Sequence, residues 1–140
     1  MGDAMPHVQR SDIERSLVAG AYYFQIIFAA GFALGTIRTL ALAPALGETT
    51  AVLIELPIIL AAAWFVAGHM IRRFKVPGEH RLAMGAFAFT LLVLAEAVLS
   101  VFLFGRTLTQ HVAHYRSVPG AMGLAGQIVF ALMPALHKRA

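Results

Sequence analysis

Four long apolar runs are separated by short polar stretches along the chain. They cover residues 17–37, 51–71, 82–104 and 119–136, and the only acidic, basic or histidine residues inside them are Glu55, His69 and Glu96. A helix needs about 20 apolar residues to cross a bilayer, with a range of about 17–25. Barrel strands are shorter and alternate in polarity, and a lone segment in hydrocarbon must satisfy its own backbone hydrogen bonds. Each run is therefore predicted to form a membrane-spanning helix.

Turn residues between the runs place the helix ends. Proline and glycine lie within residues 43–47 and 76–78, and Ser117 precedes the proline that starts the fourth run. We find no break signal in the third helix before Ser117, so it is predicted to continue beyond the membrane. The expected structure is an all-α integral membrane four-helix bundle, one domain of residues 1–140, with helices at about 16–38, 49–74, 80–115 and 119–137.

The composition supports a membrane protein. Hydrophobic residues make up 59% of the chain and charged residues 13%, against about 45–50% and about 25% in soluble domains. The chain has no cysteine, which excludes disulfides and thiolate metal sites. Its net charge of +4 points to lipid headgroups. Expected partners are membrane lipids and either further copies of the chain or a larger membrane complex, and nucleic acid is not expected.

The distribution of lysine and arginine predicts the orientation. The N-terminal segment, the second loop and the C-terminus hold eight of these residues, whereas the first and third loops hold three, Arg38, Arg106 and Arg116. Cytoplasmic segments carry the excess of positive charge. Both termini are therefore expected in the cytoplasm, and the expected location is a cell membrane of the bacterial inner-membrane type, crossed several times.

Two glutamates inside the spans are the first candidates for a functional site. Glu55 and Glu96 both fall in the outer half of the predicted bundle, together with Arg38 and Arg106. Ionisable residues inside a membrane are costly and mark functional sites by default. A structural alternative pairs Arg38 with Glu55, or Arg106 with Glu96 or Glu55. Losing one partner of such a pair would leave a costly buried charge.

Further polar residues extend this cluster. On a continuous third helix, Ser100, Thr107, His111 and His114 would form a polar line from Glu96 to the outer surface. Gln25, His69 and Gln127 are predicted to be polar residues in the bundle interior. His111 and His114 could bind zinc or iron together with the glutamates, but His114 would lie about 27 Å along the helix from Glu96. No metal site and no cofactor are therefore predicted.

Three functions are compatible with these patterns. The leading hypothesis is a non-enzymatic helper or interaction subunit, because catalytic motifs are absent, the loops are short, and small residues such as Gly31 and Gly35 should form a tightly contacting helix face. The first alternative is a proton- or cation-coupled small transporter that uses Glu96 and Glu55, although the inner half below Glu96 is almost wholly apolar. The second alternative is a membrane enzyme that acts on an apolar substrate.

Overall fold

The computed structural model describes residues 4–103 and 105–137, with side chains from residue 12 onward, and contains no strand within these ranges. The α-helices are α1 Ala4–Ile37, α2 Ala43–Leu46, α3 Glu48–Phe74, α4 Arg81–Val98, α5 Leu108–His114 and α6 Val118–Leu136. Short π-helical turns follow α1 and α4, at Arg38–Leu42 and Leu99–Leu103, and a 3₁₀ turn, Gly78–His80, precedes α4. Four segments, Asp12–Leu46, Glu48–Phe74, Gly78–Leu103 and Val118–Leu136, are long and apolar enough to cross a membrane. The predicted all-α chain with four long apolar helices is confirmed.

The four long helices form a ring in which sequence neighbours are not always spatial neighbours. Helix α1 packs against α3 and α4, and α6 packs against the same two helices. The order around the ring is therefore α1, α3, α6, α4. Helices α1 and α6 occupy opposite corners, and so do the consecutive helices α3 and α4. We call the end where α3 turns into α4 the closed end, and the opposite end the open end.

The buried core lies toward the closed end. Its most buried side chains include Ala19 and Tyr23 from α1, Ala67 from α3, Met84 from α4 and Phe130 from α6. Arg81, one of the basic residues of the second loop, is buried beside this core. Its Nε donates a 3.2 Å hydrogen bond to the Val76 carbonyl across the α3–α4 turn. The Arg81 guanidinium also donates to the carbonyl of His137, which fixes the end of α6 against this turn.

Glycines allow close helix contacts at positions other than the predicted ones. A Cβ on Gly20 would lie 2.7 Å from the Met84 carbonyl oxygen, and a Cβ on Gly85 would overlap the Ala131 carbonyl of α6. The Gly31 and Gly35 face, predicted to pack tightly, does not do so. Among the described residues, a Cβ on Gly31 would meet only Ile59, at 4.0 Å, and both residues line a cleft between the helices.

The prediction of one helix over residues 80–115 is wrong. Helix α4 ends at Val98, and after the π turn the backbone leaves the helical conformation at Gly105, whose φ is 67°. Glycine adopts this left-handed conformation without a Cβ clash and commonly ends helices. The Thr107 hydroxyl then accepts a hydrogen bond from the backbone N–H of Gln110, and the side-chain oxygen of Gln110 accepts one from the backbone N–H of Thr107. This capping box starts α5 as a separate helix.

The other helix bounds differ less. Helices α3 and α6 begin and end within one residue of the predicted 49–74 and 119–137. Helix α1 begins at Ala4 and not near residue 16, because the polar segment before the first apolar run is also helical. Beyond Ile37 the chain continues through the π turn and α2 to Gly47, whose φ of 87° ends the helical path before α3.

Candidate functional site

A cleft of about 840 Å³ lies between the four long helices in the open-end half of the bundle. Most of its wall is apolar and includes Phe28 and Phe32 of α1, Leu56 and Ile59 of α3, and Leu124 of α6. Helix α5 and the residues beside it line the mouth. Polar side chains are set into this apolar wall, and they include most of the residues singled out in the sequence: Arg38, Glu55, Glu96, Ser100, Arg106, His111, His114 and Gln127.

Phe130 lines the bottom of the cleft and is held from below by Tyr23. The two rings stack with 4.3 Å between centroids, and the Tyr23 hydroxyl donates a 2.8 Å hydrogen bond to the Phe130 carbonyl. Pro134 lies four residues after Phe130 in α6 and has no N–H to donate to this carbonyl. Tyr23 thus supplies the missing hydrogen bond and forms the floor between α1 and α6.

An ion pair joins two helices on one wall. Arg38 begins the π turn after α1, and its Nε lies 2.5 Å from Glu55 Oε2 of α3. The side chains are 27% and 16% exposed, respectively. The Nε–H does not point at the carboxylate in hydrogen-bonding geometry, so the contact is mainly ionic. Of the pairs considered from the sequence, the structure contains Arg38 with Glu55.

A second polar contact joins α4 and α6 on the opposite wall. Gln127 Nε2 donates to both carboxylate oxygens of Glu96, each at 2.6 Å. None of the ion pairs between described side chains involves Glu96. The amide oxygen of Gln127 is buried and has no hydrogen-bond partner among the residues the structure describes. Within the described residues, Glu96 is therefore a carboxylate in the cleft whose hydrogen-bond partner is a neutral amide and which has no ion-pair partner.

Ser100 follows Glu96 by four residues, lines the same cleft and has an unsatisfied hydroxyl. It is 5% exposed, and its hydroxyl has no hydrogen-bond partner within the described part of the chain. Serine and threonine inside helices usually bond the carbonyl four residues earlier, as Thr36 does with Phe32 and Thr90 with Ala86. Ser100 lies in the Leu99–Leu103 π turn and does not make this bond. Isolated π turns are frequent at functional sites, and the sequence did not reveal this one or the turn at Arg38.

The mouth of the cleft carries His111, His114 and Tyr115. The His111 and Tyr115 rings meet edge to face, with 3.4 Å between His111 Nε2 and the Tyr115 hydroxyl. Burial, assisted by the positive charges of Arg106 and His114, lowers the pKa of His111 below its ordinary value. Burial and, to a smaller extent, the negative charge of Glu96 raise the pKa of Tyr115.

The predicted polar line is only partly correct. Ser100, His111 and His114 line the cleft, whereas Thr107 is exposed and caps α5. Because the chain turns at Gly105, His111 and His114 line the same cleft as Glu96. The separation of about 27 Å between Glu96 and His114 expected on a continuous helix therefore does not apply. No group of three histidine, aspartate or glutamate side chains that could hold a metal ion occurs in the described ranges.

Two of the residues predicted to be interior are on the surface. Gln25 and His69 are exposed, because α1 turns Tyr23 and Ile27 inward and α3 turns Ala67 and Met70 inward. These inward residues occupy other sides of their helices. Gln127 is the only member of the predicted interior set that contacts the cleft.

The arrangement is suited to binding. It combines an apolar wall, one neutralised ion pair and one carboxylate without a cationic partner among the described residues. Besides Arg38 Nε of the ion pair, two buried polar atoms, Ser100 Oγ and Gln127 Oε1, have no hydrogen-bond partner in this part of the chain. No protein-family model, no curated protein and no solved structure matches this chain. The functional interpretation therefore rests on the geometry of the cleft.

Proposed function

We propose that this chain is a four-span membrane protein that binds a small amphiphilic molecule in the cleft. The observation that carries the proposal is the composition of the cleft wall, which is mostly apolar and contains the Arg38–Glu55 and Glu96–Gln127 contacts. Ligand sites of about 300–1,000 Å³ with apolar walls and a few placed polar groups are typical of proteins. The apolar tail of an amphiphile would lie along the helices, and its polar head would meet these side chains.

The orientation proposed from the sequence sets the side from which the ligand arrives. Eight of the eleven lysine and arginine residues lie at the termini and the second loop, which supports placing the closed end at the cytoplasmic face of a bacterial-type inner membrane. The cleft would then open at the outer leaflet. An amphiphile dissolved in that leaflet would enter the cleft between the open ends of the helices.

Binding without chemistry agrees with the leading hypothesis of a non-enzymatic helper. Large apolar side chains such as Phe65, Leu94 and Phe102 are exposed on the bundle surface. Lipids or subunits of an oligomer or larger complex would cover them, so association remains part of the proposal. A transporter would have to open the floor, since Tyr23 and Phe130 close the cleft on the side of the core. The cleft geometry adds no support specific to the enzyme alternative.

Filling the cleft provides the test. Nothing lies within 4 Å of a Cβ built on Gly123, which lines the cleft, so Gly123→Phe should occupy the space without unfolding the chain. A neutral alkyl diazirine lipid is photo-crosslinked to the full chain in membranes, and the labelled residues are identified by mass spectrometry. We expect labelling of cleft residues in the wild type and its loss in Gly123→Phe.

The matched control is Val129→Phe, which adds a ring to a half-exposed position on the outer side of the same helix. This variant should keep the cleft labelling. Labels confined to the outer surface of the wild type, or equal cleft labelling in Gly123→Phe and Val129→Phe, would contradict the proposed binding site.

The orientation has its own test, since the chain lacks cysteine and a single introduced cysteine would be its only thiol. Glu79 at the closed end and Thr109 at the open end are both exposed. With a membrane-impermeant maleimide on intact cells, Thr109→Cys should react, and Glu79→Cys should react only after the membrane is permeabilised. The reverse pattern would place the cleft at the cytoplasmic leaflet.

A further inference from the structure

The charges inside the cleft do not balance at Glu96. Arg38 is neutralised by Glu55 at 2.5 Å. Arg106 and Glu48 also line the cleft, but both are exposed, so water solvates their charges. Within the described residues, Glu96 has no ion-pair partner and receives only the neutral Gln127 amide. The part of the cleft around Glu96 therefore favours a positive charge.

The unsatisfied atoms beside Glu96 define the hydrogen bonds that a ligand would complete. Gln127 directs its nitrogen to the carboxylate, which leaves its amide oxygen as a buried acceptor without a partner in the described chain. The Ser100 hydroxyl, 5% exposed, is likewise unpaired and can accept a hydrogen bond. Glu96, Ser100 and Gln127 all line the cleft, and Ser100 follows Glu96 by four residues, about one helical turn, so the three acceptor groups belong to one level of the cleft.

An ammonium group matches this arrangement in charge and in hydrogen bonding. Its N–H groups are donors only, and a primary ammonium has three of them, as in lysine. A carboxylate, sulfate or phosphate head would bring further negative charge to Glu96, an alcohol has a single donor, and a quaternary ammonium has none. We propose that the cleft binds a primary or secondary alkylamine, with its ammonium between Glu96, Gln127 and Ser100.

This inference rests on the proposed amphiphile site and names the chemistry of the head group. The alkyl chain would lie against the apolar side chains near the Phe130 floor, such as Leu92, Ile59 and Ile27. The Arg38–Glu55 pair would remain intact on the opposite wall, so that the ammonium contacts Glu96 alone among the carboxylates.

The test compares three probes with the same six-carbon chain: hexylamine, 1-hexanol and hexanoate. Each is radiolabelled and equilibrated by dialysis with the full chain in lipid nanodiscs at neutral pH, and empty nanodiscs give the background. We expect hexylamine to bind about tenfold or more tightly than hexanol, and hexanoate to bind more weakly than either, because charged hydrogen bonds contribute most of the difference.

Variants locate the ammonium. Glu96→Gln should weaken hexylamine binding about tenfold or more and leave hexanol binding unchanged. Ser100→Ala removes no protein hydrogen bond found in the structure, so it should fold normally and weaken hexylamine binding several-fold. The matched control is Glu79→Gln, whose side chain is 78% exposed at the closed end. It should change nothing.

The outcomes separate the inference from the function on which it rests. Equal binding of hexylamine and hexanol to the wild type would overturn the ammonium site and leave an amphiphile cleft in place, and this comparison needs no variant. Unchanged hexylamine affinity in a folded Glu96→Gln chain would also overturn it. Failure of all three probes to bind above background would contradict the proposed function itself.

Discussion

Tyr23 donates to the Phe130 carbonyl the hydrogen bond that α6 itself does not supply. Pro134 occupies the position from which a backbone N–H would reach this carbonyl. Tyr23 and Phe130 are both nearly completely buried, and they join helices at opposite corners of the ring. The contact therefore satisfies a buried carbonyl and closes the bottom of the cleft at the same point.

Removing this hydroxyl should destabilise the chain. Tyr23→Phe keeps the ring stack but leaves the Phe130 carbonyl without its partner, at a cost of about 1–3 kcal/mol. The free energy of unfolding is measured by denaturation in mixed micelles. Tyr22→Phe is the matched control, because Tyr22 is half exposed and no hydrogen bond of its hydroxyl is found in the structure; it should have little effect.

The role of Pro134 can be separated from that of the hydroxyl. Pro134→Ala restores an N–H that can bond the Phe130 carbonyl within α6. In this background Tyr23→Phe should cost clearly less than in the wild type, and the double-mutant cycle should show coupling of about 0.5–3 kcal/mol. Equal costs in both backgrounds would show that the hydroxyl does not replace the missing helical hydrogen bond.

The Arg38–Glu55 ion pair should appear as non-additive stability changes. Each single variant, Arg38→Gln or Glu55→Gln, leaves a partly buried charge without its partner and should lower the free energy of unfolding. The double variant should lose less than the sum, with coupling of about 0.5–3 kcal/mol. Arg106→Gln combined with Glu55→Gln is the control pair and should be additive, because the structure has no Arg106–Glu55 ion pair.

Glycines at the helix contacts and in the cleft should respond in opposite ways to the same change. Gly85→Ala places a methyl group against the Ala131 carbonyl, so α4 and α6 must separate, and stability should fall by about 1–3 kcal/mol. Gly123→Ala meets open space and improves helix propensity, so stability should be unchanged or rise slightly. Thermal unfolding of the two purified variants gives the comparison. A loss in Gly123→Ala equal to that in Gly85→Ala would contradict the open cleft.

His111 should give stability a dependence on pH. Its pKa in the folded chain lies below the ordinary 6.5. As pH falls below about 6.5, the unfolded chain binds this proton first, so the free energy of unfolding decreases until the lower folded pKa is passed. The contribution is fully present above pH 6.5. The change should be small, because His111 is only partly buried.

The electrostatic part of this shift can be measured directly. Arg106→Gln removes one of its causes and should raise the pKa of His111 toward 6.5, as followed by NMR titration of the imidazole, with His111→Gln assigning the signal. Arg116→Gln removes another exposed arginine that does not contribute to the shift and should leave the pKa unchanged. An unchanged pKa in Arg106→Gln would mean that Arg106 does not contribute, and that burial and His114 account for the lowered pKa.

The residues near the break after α4 show why part of the site was predictable and part was not. Glu96 and Glu55 are evident from the sequence because charges inside apolar runs stand out, and Arg38 because it directly follows such a run. Gly105 and the Thr107–Gln110 capping box are local sequence signals for the end of one helix and the start of the next. The prediction of a continuous third helix did not include them. The π turns at Arg38–Leu42 and Leu99–Leu103 have no comparable local signal in the sequence.

Length and apolar composition belong to each segment alone, so the four long helices, and both ends of α3 and α6, followed from the amino-acid order. Which helices touch, and which face each turns inward, depends on contacts between residues far apart in the chain. Gln25 and His69 therefore moved to the surface, while Arg38 met Glu55 and Glu96 met Gln127. The floor of the cleft also depends on the tertiary structure. Pro134 leaves the Phe130 carbonyl without its helical hydrogen-bond donor, and the fold brings the Tyr23 hydroxyl to this carbonyl from more than a hundred residues away.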